Sequence, residues 1–317
     1  MSDLKFDVAI IGGGPAGMAA GLYASRGGLK AVLLEKGLKG GPYSITDEIE
    51  NYPGFPEGIA TEKLMDNFQQ QAERFGLTFK SFCPVSEVKS AGSGKILTTD
   101  DGEKIEAKAV IIATGAAPSK LGVPGEKEFA GRGVSYCATC DGPLFKDKKV
   151  LIVGGGNAAV EEAIFLTKFC SEVTIVHRRD QLRADKVLQE RAQANPKIKF
   201  LWHSTLQEIH GDVLVSWVMV RDVVTDVDQV VNTDGVFIFV GTSPVTEFLP
   251  AAVKRDERGF VVTDDSLMTS EDGVFAAGDC RANGLKQIIW AAAEGAKAAI
   301  MTERYLEQAE RKGKGNG

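Results

Sequence analysis

Two residues separate Cys137 from Cys140 in Cys137-Ala138-Thr139-Cys140-Asp141-Gly142. Such a pair closes a small ring and exchanges reversibly between dithiol and disulfide. A thiolate near a helix start or a positive charge is stabilised. A structural zinc would need two further ligands. Cys83, Cys170, Cys280 and the three histidines provide no second close pair, so no metal is expected. An inert buried pair is the bland alternative, and dithiol–disulfide exchange is the chemistry the spacing favours. Asp141 can deliver a proton to a leaving thiolate, and with Gly142 it also reads as a turn pair.

Two glycine-rich turns supply candidate nucleotide sites. Gly12-Gly13-Gly14-Pro15-Ala16-Gly17 follows the apolar run Phe6 to Ile11 and opens a helical stretch from Met18 to Arg26. Gly12 permits the tight turn, Gly14 lets the backbone approach a pyrophosphate, and Gly17 allows close helix–strand packing. The helix N-terminus offers free N–H groups and positive potential. The next strand, Ala31 to Leu34, ends in Glu35 and Lys36. A carboxylate there accepts ribose hydroxyls and repels a 2'-phosphate, which points to FAD or NAD(H) and away from NADP(H). The second turn, Gly154-Gly155-Gly156-Asn157-Ala158-Ala159, has no acid at the matching strand end. His177-Arg178-Arg179-Asp180 stands there, with Arg183 beyond. Guanidinium groups fit a 2'-phosphate, so NADPH is expected, the alternative being a solvated basic face. His177 either positions phosphate or caps the strand end. Gly12 to Gly154 and Glu35 to His177 share one offset, 142 residues, as expected from two dinucleotide-binding domains. Near the C-terminus the apolar run Gly273 to Ala277 ends in Gly278-Asp279, whose acid can contact the ribityl or phosphate region of a flavin.

The elements that must hold these residues follow from pattern. Thr61 to Phe75 has helical periodicity, and residues 80–108 read as short strands joined by turns. Ala109 to Ala113 is a strand running into Thr114-Gly115. Ala116-Ala117-Pro118 and Gly122 to Glu126 carry linker chemistry, and Gly241-Thr242-Ser243-Pro244 is a second such turn. Residues 182–194 read as a helix, and strands are expected near 198–202, 213–220 and 235–240. Lys286 to Leu306 reads as a long helix, and the tail Arg311 to Gly317 as disordered. The fold class is α/β.

The 317 residues are 44% hydrophobic and 25% charged, with net charge -6 and 36 glycines. The acidic balance argues against nucleic acid as a partner. The start shows no secretory signal, and no stretch approaches the roughly 18 apolar residues of a membrane span. Five cysteines make no disulfide scaffold, so a reducing cytoplasm is the expected location.

Taken together, the two glycine turns, Glu50-Asn51-Tyr52-Pro53-Gly54-Phe55, Ala113-Thr114-Gly115-Ala116, the Cys-Ala-Thr-Cys-Asp-Gly element, His177-Arg178-Arg179-Asp180 with Arg183-Ala184, and Gly273 through Asp279 resemble the low-molecular-weight (bacterial and archaeal type) thioredoxin reductase family. The resemblance covers about residues 5–310. It implies two Rossmann-like, three-layer ββα domains. An FAD domain (1–117 and 246–317) would be split around an NADPH domain (118–245) carrying the cysteine pair. It implies a homodimer and a large rotation between domains, with electrons passing from NADPH to FAD, to the Cys137–Cys140 disulfide, then to thioredoxin. Cys137 would attack the thioredoxin disulfide, Cys140 would be the flavin-proximal thiol and Asp141 the acid. Contacts to FAD would come from Gly12, Gly14, Pro15, Ala16, Gly17, Glu35, Lys36, Asn51, Thr114, Gly115, Gly278, Asp279, Lys286, Gln287 and Ile288. Contacts to NADPH would come from Gly154, Gly156, Asn157, Ala158, Ala159, His177, Arg178, Arg179 and Arg183.

The chain departs from the family pattern near the expected flavin contacts. Pro42 and Tyr43 replace Gln and Leu, the stretch after them is reduced to Ser44-Ile45-Thr46, Lys286-Gln287-Ile288 replaces an Arg-Gln-Ala run, and Trp290 is large for its place. In the second turn Asn157-Ala158-Ala159 stands where Asp or Asn with Ser-Ala is common. Cys280 reads as a buried passenger. Rival readings are a same-fold reductase taking electrons from ferredoxin or NADH, a non-catalytic NAD(P)-binding regulatory protein, and a peroxiredoxin-directed reductase. The arginine cluster counts against the first, and Gly12 lies too near the start for the extra N-terminal region usual in the last.

Overall fold

The structure is a computed structural model that describes residues 5–37, 48–92 and 94–314. Pro42, Tyr43 and Ser44-Ile45-Thr46 therefore lie outside the described residues. The described chain divides into two compact units, one of residues 5–37, 48–117 and 243–314, the other of 118–242.

The first unit opens with β1 (Lys5–Ile11), α1 (Pro15–Arg26) and β2 (Ala31–Leu34). A two-residue pair, β3 (Glu48–Ile49) and β4 (Ile59–Ala60), leads into α2 (Thr61–Arg74). Then come β5 (Thr78–Lys80), β6 (Val85–Ala91), β7 (Gly94–Thr99), β8 (Lys104–Ile112) and β9 (Ala116–Pro118). The second unit holds β10 (Val134–Ser135), α3 (Ala138–Asp141), β11 (Lys149–Gly154), α4 (Asn157–Leu166), β12 (Glu172–Val176), α5 (Lys186–Gln193), β13 (Ile198–Leu201), β14 (Ser204–Gly211), β15 (Val215–Asp222), β16 (Val227–Asn232) and β17 (Gly235–Phe239). The chain returns through β18 (Thr242–Pro244) and ends with β19 (Val274–Ala276) and α6 (Ile288–Lys314). The two crossing segments, β9 and β18, pair with each other.

In the first unit the strand order is β5-β2-β1-β8-β7-β6, with β19 also beside β8. Strands β5, β2, β1, β8 and β19 run parallel, and β6-β7-β8 is an antiparallel meander that uses the first half of β8. Alternation along β1 builds two cores. Val8 and Ile10 face α1, α2 and α6, while Ala9 and Ile11 pack with Val88, Leu97 and Ile105 of the meander. In the second unit the parallel order is β10-β17-β11-β12-β13, and β14-β15-β16 is again an antiparallel meander. Ile152 faces α4 and α5, and Leu151 and Val153 face the meander. The chain is thus an α/β fold with several sheets, consistent with Rossmann-like dinucleotide-binding domains. No helix among the described residues is long and apolar enough to cross a membrane.

Three expectations change. The helix expected from 182 begins only at Lys186, because residues 183–185 are drawn back to the glycine turn. The Arg183 N–H donates to Gly155 O (2.6 Å), and Asp185 and Asn157 exchange two hydrogen bonds (2.7 and 2.8 Å). Strands β14 and β16 extend the antiparallel sheet beyond the segments expected. The helix α6 starts at Ile288 and continues to Lys314, so the first residues of the tail expected to be disordered are helical. Lys286 lies outside it, in the left-handed region at φ 54°.

Candidate functional site

In the first unit the carboxyl ends of β1, β2, β8 and β19 share one edge, since Ile11 pairs with both Leu34 and Ile112, and Ala276 pairs with Ile112. That is where an open parallel sheet binds ligands. Gly12 leaves β1 at φ 104°, and a Cβ there would stand 2.4 Å from Ala113 O. Gly14 is extended, Pro15 occupies the first helical position, and no side chain caps α1. Pro15 has no N–H to leave unpaired, and the N–H groups of the first turn, Ala16 and Gly17 among them, suit an anion. Glu35 is buried at the end of β2. Its Oε2 accepts the Gly13 N–H (2.6 Å) and its Oε1 accepts the Gly37 N–H (2.8 Å). Each carboxylate oxygen keeps a further lone pair for a ribose hydroxyl. A 2'-phosphate beside it would face a buried negative charge. Lys36 is exposed directly after.

Thr114 and Gly115 follow β8 and are tied to the return crossing. The Thr114 hydroxyl donates to Val245 O (2.7 Å), and Gly115 O accepts the Val245 N–H (3.2 Å). The Asn51 amide donates to Gln287 Oε1 (2.9 Å), joining the 50–56 loop, which lines an open cavity of about 380 Å³, to the segment before α6. Gly278 packs on Ala16, since a Cβ on Gly278 would lie 2.9 Å from the Ala16 Cβ. Next to it, Asp279 Oδ1 is buried with no hydrogen-bond partner. Burial pushes the Asp279 carboxyl above its usual range, against the pull of Lys286. A buried polar atom left open in this way costs about 1–3 kcal/mol, more if charged, unless something binds it. Flavin ribityl hydroxyls are donors of the right kind, so the residues present fit FAD. Burial also lowers the pKa of Lys286, whose ammonium sits 5.3 Å from the centre of the Phe260 ring. Ile288 is the first residue of α6. Cys280 is fully buried with its thiol pushed up to about 11, as an unreactive thiol should be.

The second turn repeats the first with different chemistry. A Cβ on Gly154 would meet Phe239 O at 2.5 Å and the Ala159 Cβ at 2.7 Å. Gly156 is extended, no side chain caps α4, and Asn157, Ala158 and Ala159 form its first turn. His177 is buried at the end of β12, and its ring lies under the turn: a Cβ on Gly155 would fall 2.4 Å from the imidazole. Burial lowers its pKa, and Arg183, Arg178 and Arg179 add to this, against the carbonyl of Gln181. Its Nε2 has no hydrogen-bond partner. Arg178, Arg179 and Arg183 are exposed, and none pairs with a carboxylate among the described residues. An uncapped helix start with unpaired guanidinium groups at the ribose end fits NADPH.

The cysteine pair belongs to the second unit, where Cys137 and Cys140 form a disulfide. Ser135 fixes its entry, its hydroxyl donating to Cys137 O and accepting the Cys137 N–H (both 3.1 Å). Cys137 is half-buried at the start of α3, and Cys140 is exposed. Ala138 is buried in the core that α4 shares, and a Cβ on Gly142 would touch Leu166 at 3.1 Å, so the pair is anchored in the second unit beside its glycine turn. Asp141 ends α3 half-buried, its N–H reaching Cys137 O (3.3 Å), and its carboxylate makes no hydrogen bond among the described residues. Cys83 and Cys170 are free and buried.

Comparison with known proteins decides the family. A model of the pyridine nucleotide-disulphide oxidoreductase family matches residues 6–295. The thioredoxin reductase of Bacillus subtilis (strain 168) is 45% identical over 310 residues, covering 97% of each chain. That of Peptoclostridium acidaminophilum is 44% identical over 310 residues, 95% of this chain and 97% of its own. A crystal structure of Lactococcus lactis thioredoxin reductase superposes with a TM-score of 0.93 at 42% identity, covering 96% of this chain and 99% of the other. The chain belongs to the thioredoxin reductase family. It is an oxidoreductase of the disulfide-using kind, and among the described residues Cys137 and Cys140 form a disulfide.

Residues that sequence reading missed lie behind the turns. Glu294 of α6 is buried and takes the Gly278 N–H, and Arg281 and Trp290 bind the same carboxylate. The available signal was a lone acid inside Ala291-Ala292-Ala293-Glu294-Gly295-Ala296, where every neighbour is small.

Proposed function

We propose that the protein reduces the disulfide of oxidised thioredoxin with electrons from NADPH, passed through FAD and the Cys137–Cys140 pair. The first unit is the FAD domain and the inserted second unit the NADPH domain, and a dimer of this chain in the cytoplasm is the proposed assembly and place. The observation that carries the reading is the Cys137–Cys140 disulfide, held on the same unit as a glycine turn flanked by unpaired arginines. Asp279, Glu35 and the α1 turn would hold FAD, with Asn51, Thr114 and the 286–288 segment completing its surroundings. Arg178, Arg179 and Arg183 would take the 2'-phosphate of NADPH.

Bound FAD supplies two-electron acceptance from a nicotinamide and two-electron delivery to a disulfide. The chain's residues do the rest. The Cys137–Cys140 bond takes two electrons and two protons and opens to two thiols, with Asp141 handing a proton to the sulfur that leaves. Cys137, as thiolate, attacks the thioredoxin disulfide and forms a mixed disulfide. Cys140 then attacks Cys137, restoring the original bond and releasing thioredoxin as a dithiol.

Anaerobic titration with NADPH and with NADH, followed at the flavin band near 450 nm, tests the reading. NADPH should bleach the band, NADH should do so far less readily, and added oxidised thioredoxin should restore it. Cys137→Ser and Cys140→Ser should each abolish thioredoxin-linked turnover while leaving flavin reduction by NADPH intact. Full turnover in either variant would sink the mechanism.

A further inference from the structure

A buried carboxylate, Glu294, and a half-buried one, Asp279, stand beside the Gly278 turn, and only the first is saturated. Glu294 is 5% exposed. Its Oε2 accepts the Gly278 N–H (2.8 Å) and the Arg281 Nε–H (3.1 Å), and its Oε1 accepts Arg281 Nη2 (2.7 Å) and the Trp290 indole N–H (2.8 Å). Four donors fill the four acceptor positions of a carboxylate. Arg281 also neutralises the charge, and its other amino group is held by the Thr263 hydroxyl. Asp279 has the opposite standing, since its Oδ1 is buried and has no hydrogen-bond partner.

The two are linked through the backbone. Gly278 immediately precedes Asp279 and Arg281 follows it by two, so Glu294 grips the chain on both sides of Asp279. The turn has little freedom otherwise. Gly278 sits at φ 77° against Ala16, the Arg281 N–H closes onto Gly278 O (3.0 Å), and a Cβ on Gly295 would stand 2.0 Å from Ala16 O. The start of α1, the Gly278 turn and α6 are therefore in direct contact.

We infer that Glu294 is a positioning residue for FAD: with its charge balanced by Arg281 and its carboxylate braced by Trp290, it fixes the backbone on both flanks of Asp279 so that the open carboxylate oxygen meets the ribityl hydroxyls. This rests on the FAD reading above. A saturated ion pair used only to stabilise the fold gives no reason for its donors to bracket the one unsatisfied carboxylate of the turn. It also accounts for Trp290, large for its place, because the indole supplies the fourth donor.

Glu294→Gln tests it. Glutamine offers one acceptor oxygen, and its amide N–H groups would face the donors of Arg281 or Trp290. The readout is the dissociation constant of FAD, measured on the full-length protein by equilibrium dialysis and free-flavin fluorescence, with no turnover involved. Glu294→Gln should weaken FAD binding about 10- to 100-fold, Asp279→Asn by a similar factor, and the double variant no more than about threefold beyond Asp279→Asn alone. Affinity of Glu294→Gln within about twofold of the parent protein would overturn the inference. So would a double variant whose loss is the product of the two single losses, because Glu294 would then act independently of Asp279. Should Glu294→Gln not accumulate as folded protein, Glu294→Asp is judged by the same cycle, its shorter carboxylate losing reach to Gly278. A parent protein that takes up no FAD would overturn the cofactor reading and this inference with it. FAD bound normally by every variant would overturn the inference alone.

Discussion

Glu35 and His177 occupy the same place in two copies of one scaffold, each at the end of the second strand and each against the middle glycine of its turn. At Gly13 the contact is a hydrogen bond, the backbone N–H donating to the Glu35 carboxylate (2.6 Å). At Gly155 it is a packing contact, the imidazole filling the space in which a Cβ would stand. The carboxylate brings negative charge to the ribose end of the first turn, whereas the buried His177 ring, its pKa lowered by burial and the nearby arginines, brings none to the second. Only the neutral version leaves Arg178, Arg179 and Arg183 free to meet a phosphate. On the proposed function, the scaffold would set where a nucleotide lies, and the side chain beneath each turn would help set which sugar is welcome.

The sharpest way to break this comparison is to remove the arginines. Each charge-assisted hydrogen bond to a phosphate is worth about 1.5–3 kcal/mol. Arg178→Ala with Arg179→Ala should therefore weaken NADPH binding about 100-fold or more and leave NADH binding nearly unchanged, as read by flavin bleaching with each cofactor. Equal losses for both would remove the phosphate role. The next effect separates the two glycines. Gly155→Ala would force a Cβ to 2.4 Å from the His177 ring, whereas Gly13→Ala meets the tip of Glu35 at 3.0 Å. Overpacking costs about 1–3 kcal/mol, so Gly155→Ala should lower the unfolding temperature more than Gly13→Ala. Gly155→Ala with His177→Ala should recover part of that loss, because the clash is gone. Thermal unfolding without ligand measures all of these.

The two turns and the residues at their strand ends are legible in the sequence itself. The turns, the acid and the arginine cluster reveal themselves because their chemistry needs specific residue types at fixed distances from strand ends. The second meander was only partly legible. Strand β16 reads Val-Asp-Gln-Val-Val-Asn and is exposed along nearly its whole length, so no buried face imprints an alternation on it. The late start of α5 was hidden for another reason. Residues 183–185 fit a helical pattern, but Gly155 O and Asn157, near in space and distant in sequence, claim their hydrogen bonds. Glu294 escaped notice likewise, because its partners Gly278 and Arg281 lie across a turn and its importance depends on an oxygen of Asp279 that no pattern shows to be unsatisfied.

The smallest expected effect concerns pH and isolates His177. Burial, and then the arginines, hold its folded pKa below the unfolded value near 6.5. Between those two values the unfolded chain binds the proton and the folded chain does not, so stability rises with pH across that window. The contribution is fully present above about pH 6.5 and is lost as pH falls through the folded value. His177→Asn removes the titrating ring, so its unfolding temperature should fall less steeply than the parent's between pH 7.5 and 5.5. The other two histidines, His203 and His210, are unchanged in the comparison and cancel from the difference. Glu35→Gln, at the matching position of the first turn, leaves the histidine in place and should keep the parent's slope between pH 7.5 and 5.5. Identical slopes in His177→Asn and the parent would mean that the ring is not held neutral, and the contrast with Glu35 would then rest on shape alone.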